Sequence, residues 1–208
     1  MGTENRVLVF TKAPQPGTVK TRLIPLLGAE GAAALHRRLI EHTLKQAVKA
    51  GVGPVELWCD PNHADAFLND CAQRCGASLH VQTGADLGAR MMQAFESVLR
   101  NSRYAVLIGT DCAVLDAAHI RAAVGALAAG DDAVFCPAED GGYALIGLTQ
   151  CDPILFADIH WGGAHVMADT RDRLREIGMR WTELASLWDI DRPEDYQRLV
   201  AEKLLNER

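Results

Sequence analysis

The sequence predicts an α/β protein with a mixed, mostly parallel central sheet, and three observations lead there. Short apolar runs that read as strands alternate with longer stretches whose apolar residues recur at helical spacing, as in successive βα units. Residues 104–108 (Tyr104, Ala105, Val106, Leu107, Ile108) are apolar without interruption, as expected of a central strand buried on both faces. Two further runs, 133–136 and 143–147, are separated only by a polar turn, which breaks the alternation and implies an inserted antiparallel element.

In chain order, residues 7–11 are an apolar run entering the Pro/Gly loop 12–17, a buried first strand followed by a turn. Over 29–49, Ala33, Leu35, Leu39, Ile40, Leu44, Ala47 and Val48 recur at helical spacing, and Gly51 with Gly53 and Pro54 stops the run. Residues 55–59 read as a strand, 65–75 as a helix, 79–81 as a strand and 86–100 as a helix. The central run ends at Gly109-Thr110-Asp111, a helix over 117–129 follows, and helices over 166–177 and 193–205 close the chain. No repeat, low-complexity tract or linker divides it, and 208 residues suit one domain better than two.

Composition narrows the function. Hydrophobic residues at 49% and charged residues at 23% are the balance of a globular enzyme, which excludes a disordered or fibrous chain. No run approaches the roughly 18 apolar residues of a membrane span, and the N-terminal residues 1–6 are too polar for a secretory signal, so a cytoplasmic protein is expected. Cys59, Cys71, Cys75, Cys112, Cys136 and Cys151 contain no CxxC pair, so buried thiols are expected instead of a zinc site or a disulfide framework. The seven histidines show no HExxH or paired spacing and read as surface or satisfied core residues.

The net charge of −6 hides an asymmetry: residues 1–38 carry six Lys/Arg against Glu4 and Glu30, which is +4 and leaves −10 for the rest. An acidic chain is a poor general nucleic-acid binder, but positive charge so confined suits a small phosphorylated ligand.

Five segments carry the candidate chemistry. The loop Lys12-Ala13-Pro14-Gln15-Pro16-Gly17-Thr18-Val19-Lys20-Thr21-Arg22-Leu23 follows the first strand, and no acid lies anywhere from Arg6 to Ala29. It can aim backbone N–H groups and three cations at a diphosphate, although it is neither a P-loop nor a GxGxxG fingerprint. Asp111 closes the most buried strand, where the carboxyl ends of an open sheet face the ligand crevice, and Asp116 is the better cap for the helix that follows. In Trp188-Asp189-Ile190-Asp191-Arg192-Pro193-Glu194-Asp195, Asp189 and Asp191 share a face of an extended segment; Asp191 is either a helix cap or, with Asp111, a ligand for Mg²⁺ or Mn²⁺.

The fourth segment, Glu139-Asp140-Gly141-Gly142-Tyr143, sets two acids on a Gly-Gly turn, where Asp140 or Glu139 could act as general base on an acceptor hydroxyl. In the fifth, Gln82-Thr83-Gly84-Ala85-Asp86-Leu87-Gly88-Ala89-Arg90-Met91, Asp86 is a natural N-cap, Gln82 could pair with a base edge and Gly88 could admit the nucleoside. Trp161 and His165 stay open between a packing anchor and an acceptor wall.

Together, and in this order, the five segments resemble a bacterial family of GT-A-type glycosyltransferase-like proteins, some associated with arsenosugar biosynthesis, within the nucleotide-diphospho-sugar transferase fold. The likeness runs over residues 7–196; the family's Gly-Thr-Asp-Cys is usually followed by Pro, where this chain has Ala113. The Lys20-Thr21-Arg22-Leu23 segment is also similar to that of 2-phospholactate guanylyltransferases, which move a nucleotidyl group on the same fold.

The resemblance implies a three-layer α/β/α sandwich, with a nucleotide over the N-terminal half of the sheet and a small-molecule acceptor over the C-terminal half. It implies a metal-dependent glycosyltransferase using a nucleotide-sugar donor. The alternative is a nucleotidyltransferase that takes an NTP and releases pyrophosphate, and a third reading is a non-catalytic nucleotide-binding domain. On this expectation Lys12, Gly17, Lys20, Arg22, Gln82 and Gly88 bind the nucleotide, with Lys20 and Arg22 neutralising the diphosphate. Asp111 and Asp191 hold Mg²⁺ or Mn²⁺, and Asp140 serves the acceptor. No nucleic acid or membrane span is expected, and a homo-oligomer is left open.

Overall fold

The computed structural model describes residues 5–60 and 65–205. Residues 1–4 of the polar N-terminus, and His63, lie outside them. The strands are β1 (Arg6–Lys12), β2 (Val55–Asp60), β3 (Ser78–Val81), β4 (Ala105–Gly109), β5 (Ala133–Pro137), β6 (Tyr143–Leu148) and β7 (Trp181–Glu183). They make one sheet in the order β3-β2-β1-β4-β6-β5-β7. The apolar run at 104–108 does become the middle strand. β6 is the expected antiparallel insertion, reversed against both β4 and β5, whereas β1 pairs in parallel with β2 and β4. The sequence reading missed β7, a parallel edge strand beside β5 whose three residues are too few to show a period.

The helices are α1 (Ile24–Ala50), α2 (Ala66–Cys75), α3 (Leu87–Leu99), α4 (Ala117–Ala129), α5 (Val166–Glu176) and α6 (Pro193–Ala201). Within α1, Gly28 leaves helical geometry (φ 70°, ψ 166°), so the regular helix begins beyond it, where the apolar spacing also begins. Asp65, Asp86 and Asp116 each accept backbone N–H groups at the start of α2, α3 and α4, which satisfies donors that have no partner within a helix. α6 ends four residues before the expected 205, because the chain turns left-handed at Lys203 (φ 55°) and Leu205 (φ 62°).

Strand alternation builds two cores. Val7, Val9, Val106 and Ile108 face α1, α2 and α4, whereas Leu8, Phe10, Ala105 and Leu107 face α3 and α5. The result is three layers, α/β/α. Each fully buried Leu or Ile here contributes about 1.5–3 kcal/mol relative to an exposed one. A smaller cluster of Leu23, Leu35, Leu39, Ala113, Trp188, Ile190 and Leu199 ties α6 to the ends of β1 and β4. Ala113, at the position where the resembled family has Pro, is thus held by packing. All six cysteines are free, and burial pushes the thiols of Cys59, Cys112, Cys136 and Cys151 up to about 12, which makes them inert. Among the described residues no helix is long and apolar enough to cross a membrane.

Candidate active site

β1 connects outward to β2 on one side, while its other neighbour is β4, so the sheet changes direction between β1 and β4. A crevice forms outside the carboxyl ends of strands at such a switch point. A cleft of about 630 Å³ lies there, lined among others by Lys12, Lys20, Arg22, Gln82, Arg90, Asp111, Asp140, Asp189 and Asp191. Seven of the nine residues predicted for the site are in that lining; Gly17 and Gly88 are not.

The basic loop leaves β1 at Lys12 and turns sharply at Lys20, which adopts the left-handed conformation (φ 48°, ψ 41°) just before the 3₁₀ turn Thr21–Leu23. A non-glycine residue held there costs about 1–3 kcal/mol unless its surroundings insist on it. Here they do. Lys20 Nζ lies 2.6 Å from Asp111 Oδ1 and donates to the Ile190 carbonyl at 2.5 Å, in a buried position. The Ile190 N–H donates to Asp111 O at 2.9 Å, so the loop after β1, the end of β4 and the Trp188–Asp191 segment are bound to one another. Arg22 pairs with Asp191, and Arg90 pairs with Asp60 at 2.6 Å. Lys12 has no side-chain partner among the described residues, so its charge is open to a ligand.

Partial desolvation by the cleft walls raises the Asp111 carboxyl, which still keeps about half of its side chain in solvent, but Lys20, His36 and Lys12 outweigh that and hold the group below its usual value. Asp189 goes the other way: burial, then Asp140, Asp111 and Asp191, push it up to about 7. Its Oδ1 is buried without a hydrogen-bond partner. Asp191 is not the cap of α6, because Asp195 Oδ2 reaches back to accept from the N–H groups of Asp191 (3.0 Å) and Arg192 (2.7 Å). Both Asp189 and Asp191 line the cleft, as their period-two spacing predicts, while Trp188 and Ile190 point into the core.

Asp140 also lines the cleft, its carboxylate accepting the Gly142 N–H at 2.9 Å. Glu139 pairs outward with Arg198 at 3.0 Å, so of the two acids on that turn only Asp140 faces the site. Gly141 is required: a Cβ there would lie 2.0 Å from the Ala164 carbonyl oxygen. Gln82 spends its amide nitrogen on the carbonyls of Thr11 (3.0 Å) and Trp58 (2.9 Å), which clasps β1 to β2 and leaves no amide donor for a base.

Gly88 does not admit a nucleoside, for the space beside its Cα holds the Trp161 indole. Gly17 sits at the turn of the basic loop (φ 83°), outside the cleft lining. His165 starts α5, away from the cleft, whereas Trp161 packs edge-on to Tyr143 and forms a wall.

The sequence reading left out His36 and did not select Asp189. His36 lines the cleft from the buried face of α1, where its Nε2 meets the Lys12 carbonyl (3.2 Å) and the Thr11 hydroxyl (3.4 Å). Burial lowers its pKa, so the ring is neutral at pH 7, and Nδ1 is buried without a partner. Its only signal in sequence is a polar residue at a core position beside Leu35, Leu39 and Ile40. Among the described residues no three His, Cys, Asp or Glu side chains form a ready-made metal cage.

The sheet order and three layers are those of the nucleotide-diphospho-sugar transferase fold. The chain belongs to the bacterial family described as "Uncharacterized protein conserved in bacteria (DUF2064)", whose profile matches residues 43–163. It is similar to a solved structure from Desulfovibrio desulfuricans G20, named as a candidate nucleotide-diphospho-sugar transferase. The two are 30% identical with a TM-score of 0.86, covering 95% of this chain and 86% of that one. It is also similar to a CMP:2-keto-3-deoxy-manno-octonic acid synthetase complexed with CTP (12% identity, TM-score 0.62, 97% and 100% covered). A third likeness is to Rv0371C of Mycobacterium tuberculosis H37Rv in complex with manganese (20% identity, TM-score 0.61, 96% and 99% covered). The last two likenesses concern the fold alone. No curated protein matches the sequence.

Proposed function

We propose that the chain is a transferase that moves a sugar from a nucleotide-diphosphate donor to a small hydroxyl-bearing acceptor. The observation that carries this reading is the charge balance of the cleft. Lys12, Lys20, Arg22 and Arg90 line it together with Asp111, Asp140, Asp189 and Asp191, four basic side chains against four acids that are all ionised once a cation relieves Asp189. A sugar diphosphate with one divalent cation brings no net charge into such a site, whereas a triphosphate with one cation leaves an uncompensated negative charge.

The donor set fits Mg²⁺ or Mn²⁺. Asp189 Oδ1 is an orphaned oxygen among mutually repelling carboxylates, the circumstance a cation relieves. Asp111 and Asp189 would hold the ion, and Asp191 contributes if it leaves Arg22. Two carboxylates suffice for a hard ion that keeps waters and takes its remaining oxygens from substrate phosphates. Such an ion supplies charge neutralisation for the leaving diphosphate.

The chain's own residues do the rest. Lys12, Lys20 and Arg22 bind and orient the phosphates, and the Lys20 turn fixes that loop against Asp111. Asp140, which lines the same cleft, accepts the acceptor's hydroxyl proton. The acceptor oxygen bonds to the sugar's anomeric carbon as that carbon's bond to the diphosphate oxygen breaks, and the nucleoside diphosphate leaves with the electron pair.

Nucleotidyl transfer is the second reading, favoured by the unpartnered Lys12, which could meet a third phosphate. Incubation with nucleotide sugars or NTPs, Mn²⁺ and an alcohol panel decides between them. Nucleoside-diphosphate release, slowed about 10²–10⁴-fold in Asp140→Asn with donor affinity retained, is the expected result. Pyrophosphate release from an NTP would replace it with nucleotidyl transfer, and absence of nucleotide binding would reject both.

A further inference from the structure

Beside the charged cleft, and sharing Phe10, Leu87, Tyr143, Ala144, Asp140 and Asp189 with it, lies a second cavity of about 200 Å³. Its floor is Leu107 of β4 with Ile146 of β6, and Met91 and Val166 also line it. Trp161 and Tyr143 form two aromatic walls at 88° with ring centroids 6.5 Å apart. The Tyr143 ring, which also packs edge-on to Phe135, is the surface that residue offers.

Charge is partitioned between the two spaces. All four cations of the lining belong to the larger cleft, and none lines the apolar cavity. Among the described residues, the titratable acids and bases of its lining are Asp140, Asp189 and the phenol of Tyr143. A phosphate or carboxylate on a molecule seated there would face these acids with no Lys or Arg side chain beside it, in surroundings where an unpaired charge is expensive. An apolar body suits the walls, since a dry cavity of about 150 Å³ lined by Leu, Ile and Phe takes up a benzene ring.

Two observations show that the cavity is built and is not a packing fault. A Cβ at Gly88 would lie within 2.4–2.6 Å of the Trp161 indole, so this glycine makes room for the wall. A Cβ at Gly141, beside Asp140, would collide with the Ala164 carbonyl, so that glycine lets the acidic turn close on the segment leading into α5. The motif Gln82–Met91 contributes Leu87 and Met91 to the lining of this cavity, and its Gly88 seats the Trp161 wall.

We infer that the cavity is the acceptor subsite and that it takes an uncharged alcohol with a ring-sized apolar body, its hydroxyl at Asp140. The inference rests on the sugar-transfer reading for the word acceptor. It implies a substrate unlike a phosphorylated or carboxylated hydroxy acid, the acceptor class that a guanylyltransferase-like role would need.

Matched probes test it: benzyl alcohol and 4-(hydroxymethyl)benzoate, which differ by one carboxylate, each titrated at pH 8 by ligand-observed NMR, with UDP and Mn²⁺ measured separately on the same protein. Benzyl alcohol should bind at least about tenfold more tightly than the benzoate, the least that a misplaced charge should cost. Leu87 is 45% exposed and lines both spaces, so Leu87→Lys should fold and should narrow or reverse that preference. Equal or tighter binding of the benzoate to the wild type, or no binding of benzyl alcohol while UDP binds, overturns the inference. Failure of UDP to bind would instead remove the transfer reading, leaving the preference between the two alcohols still readable.

Discussion

Replacing Gly88 by Ala sets two effects of known size against each other. Gly88 lies in the first turn of α3, and Ala there gains about 1 kcal/mol of helix propensity. Against that, its Cβ would sit 2.4 Å from Trp161 Nε1, 2.5 Å from Cε2 and 2.6 Å from Cζ2, far inside van der Waals contact. The indole has to move by about 1 Å, and it is flanked by Tyr143 (6.5 Å) and Phe156 (6.4 Å). Overpacking of this kind costs about 1–3 kcal/mol, so the clash should outweigh the propensity and Gly88→Ala should lose about 1 kcal/mol.

Urea unfolding measures that loss, and Trp emission reports the displaced indole. UDP affinity should hold, because Gly88 faces the wall and not the nucleotide, whereas benzyl alcohol affinity should fall. A variant that gains stability with unchanged emission, or one that loses UDP affinity while keeping the probe, would refute the placement of Trp161.

Three further outcomes are expected. Lys20→Met strips Asp111 of its partner; breaking a buried pair costs about 3–5 kcal/mol. Asp111 keeps 55% of its side chain in solvent, which screens the orphaned charge, so about 2 kcal/mol should be lost in urea at pH 7, and a loss below about 0.5 would mean the pair is not formed. Asp116→Ala should cost about 1 kcal/mol at pH 7. Burial raises the Asp116 carboxyl, but the His119 and Ala118 N–H groups and the His119 ring hold it below its ordinary 3.8. Its stabilisation is therefore present above pH 3.8 and lost as pH falls through the lowered folded value, so the deficit in melting temperature should shrink below pH 3.8. Finally, Asp189→Asn and Asp111→Asn should each abolish the Mn²⁺ dependence of UDP binding in calorimetry, while Asp191→Asn should weaken it far less; equal effects at 189 and 191 would make Asp191 a full ligand.

Much of the fold was legible because its signals are local. Alternating Val7, Leu8, Val9 and Phe10 mark a strand buried on both faces, and the 3.6-residue recurrence from Ala33 to Ala47 marks the helix behind it. Asp65, Asp86 and Asp116 announce helix starts because a cap bonds to N–H groups two or three residues away. The charge asymmetry was equally plain: no acid interrupts residues 6–29, and that loop does lie on the cleft. β7 was lost because three residues carry no period.

What tertiary structure decided is which groups spend their bonds on the protein and which remain for a ligand. Gln82 and Gly88 looked like nucleoside contacts, yet one clasps two strands and the other houses Trp161, through partners about 24 and 73 residues away along the chain. Asp189 and Asp191 are equivalent by spacing. Only the approach of Arg22 to one, and the burial of the other among carboxylates, separates them. Sequence spacing constrains local geometry because bonds and hydrogen bonds act over a few residues. Burial, charge neighbours and the apolar cavity depend on segments brought together by the sheet order β3-β2-β1-β4-β6-β5-β7, and no local pattern encodes that order.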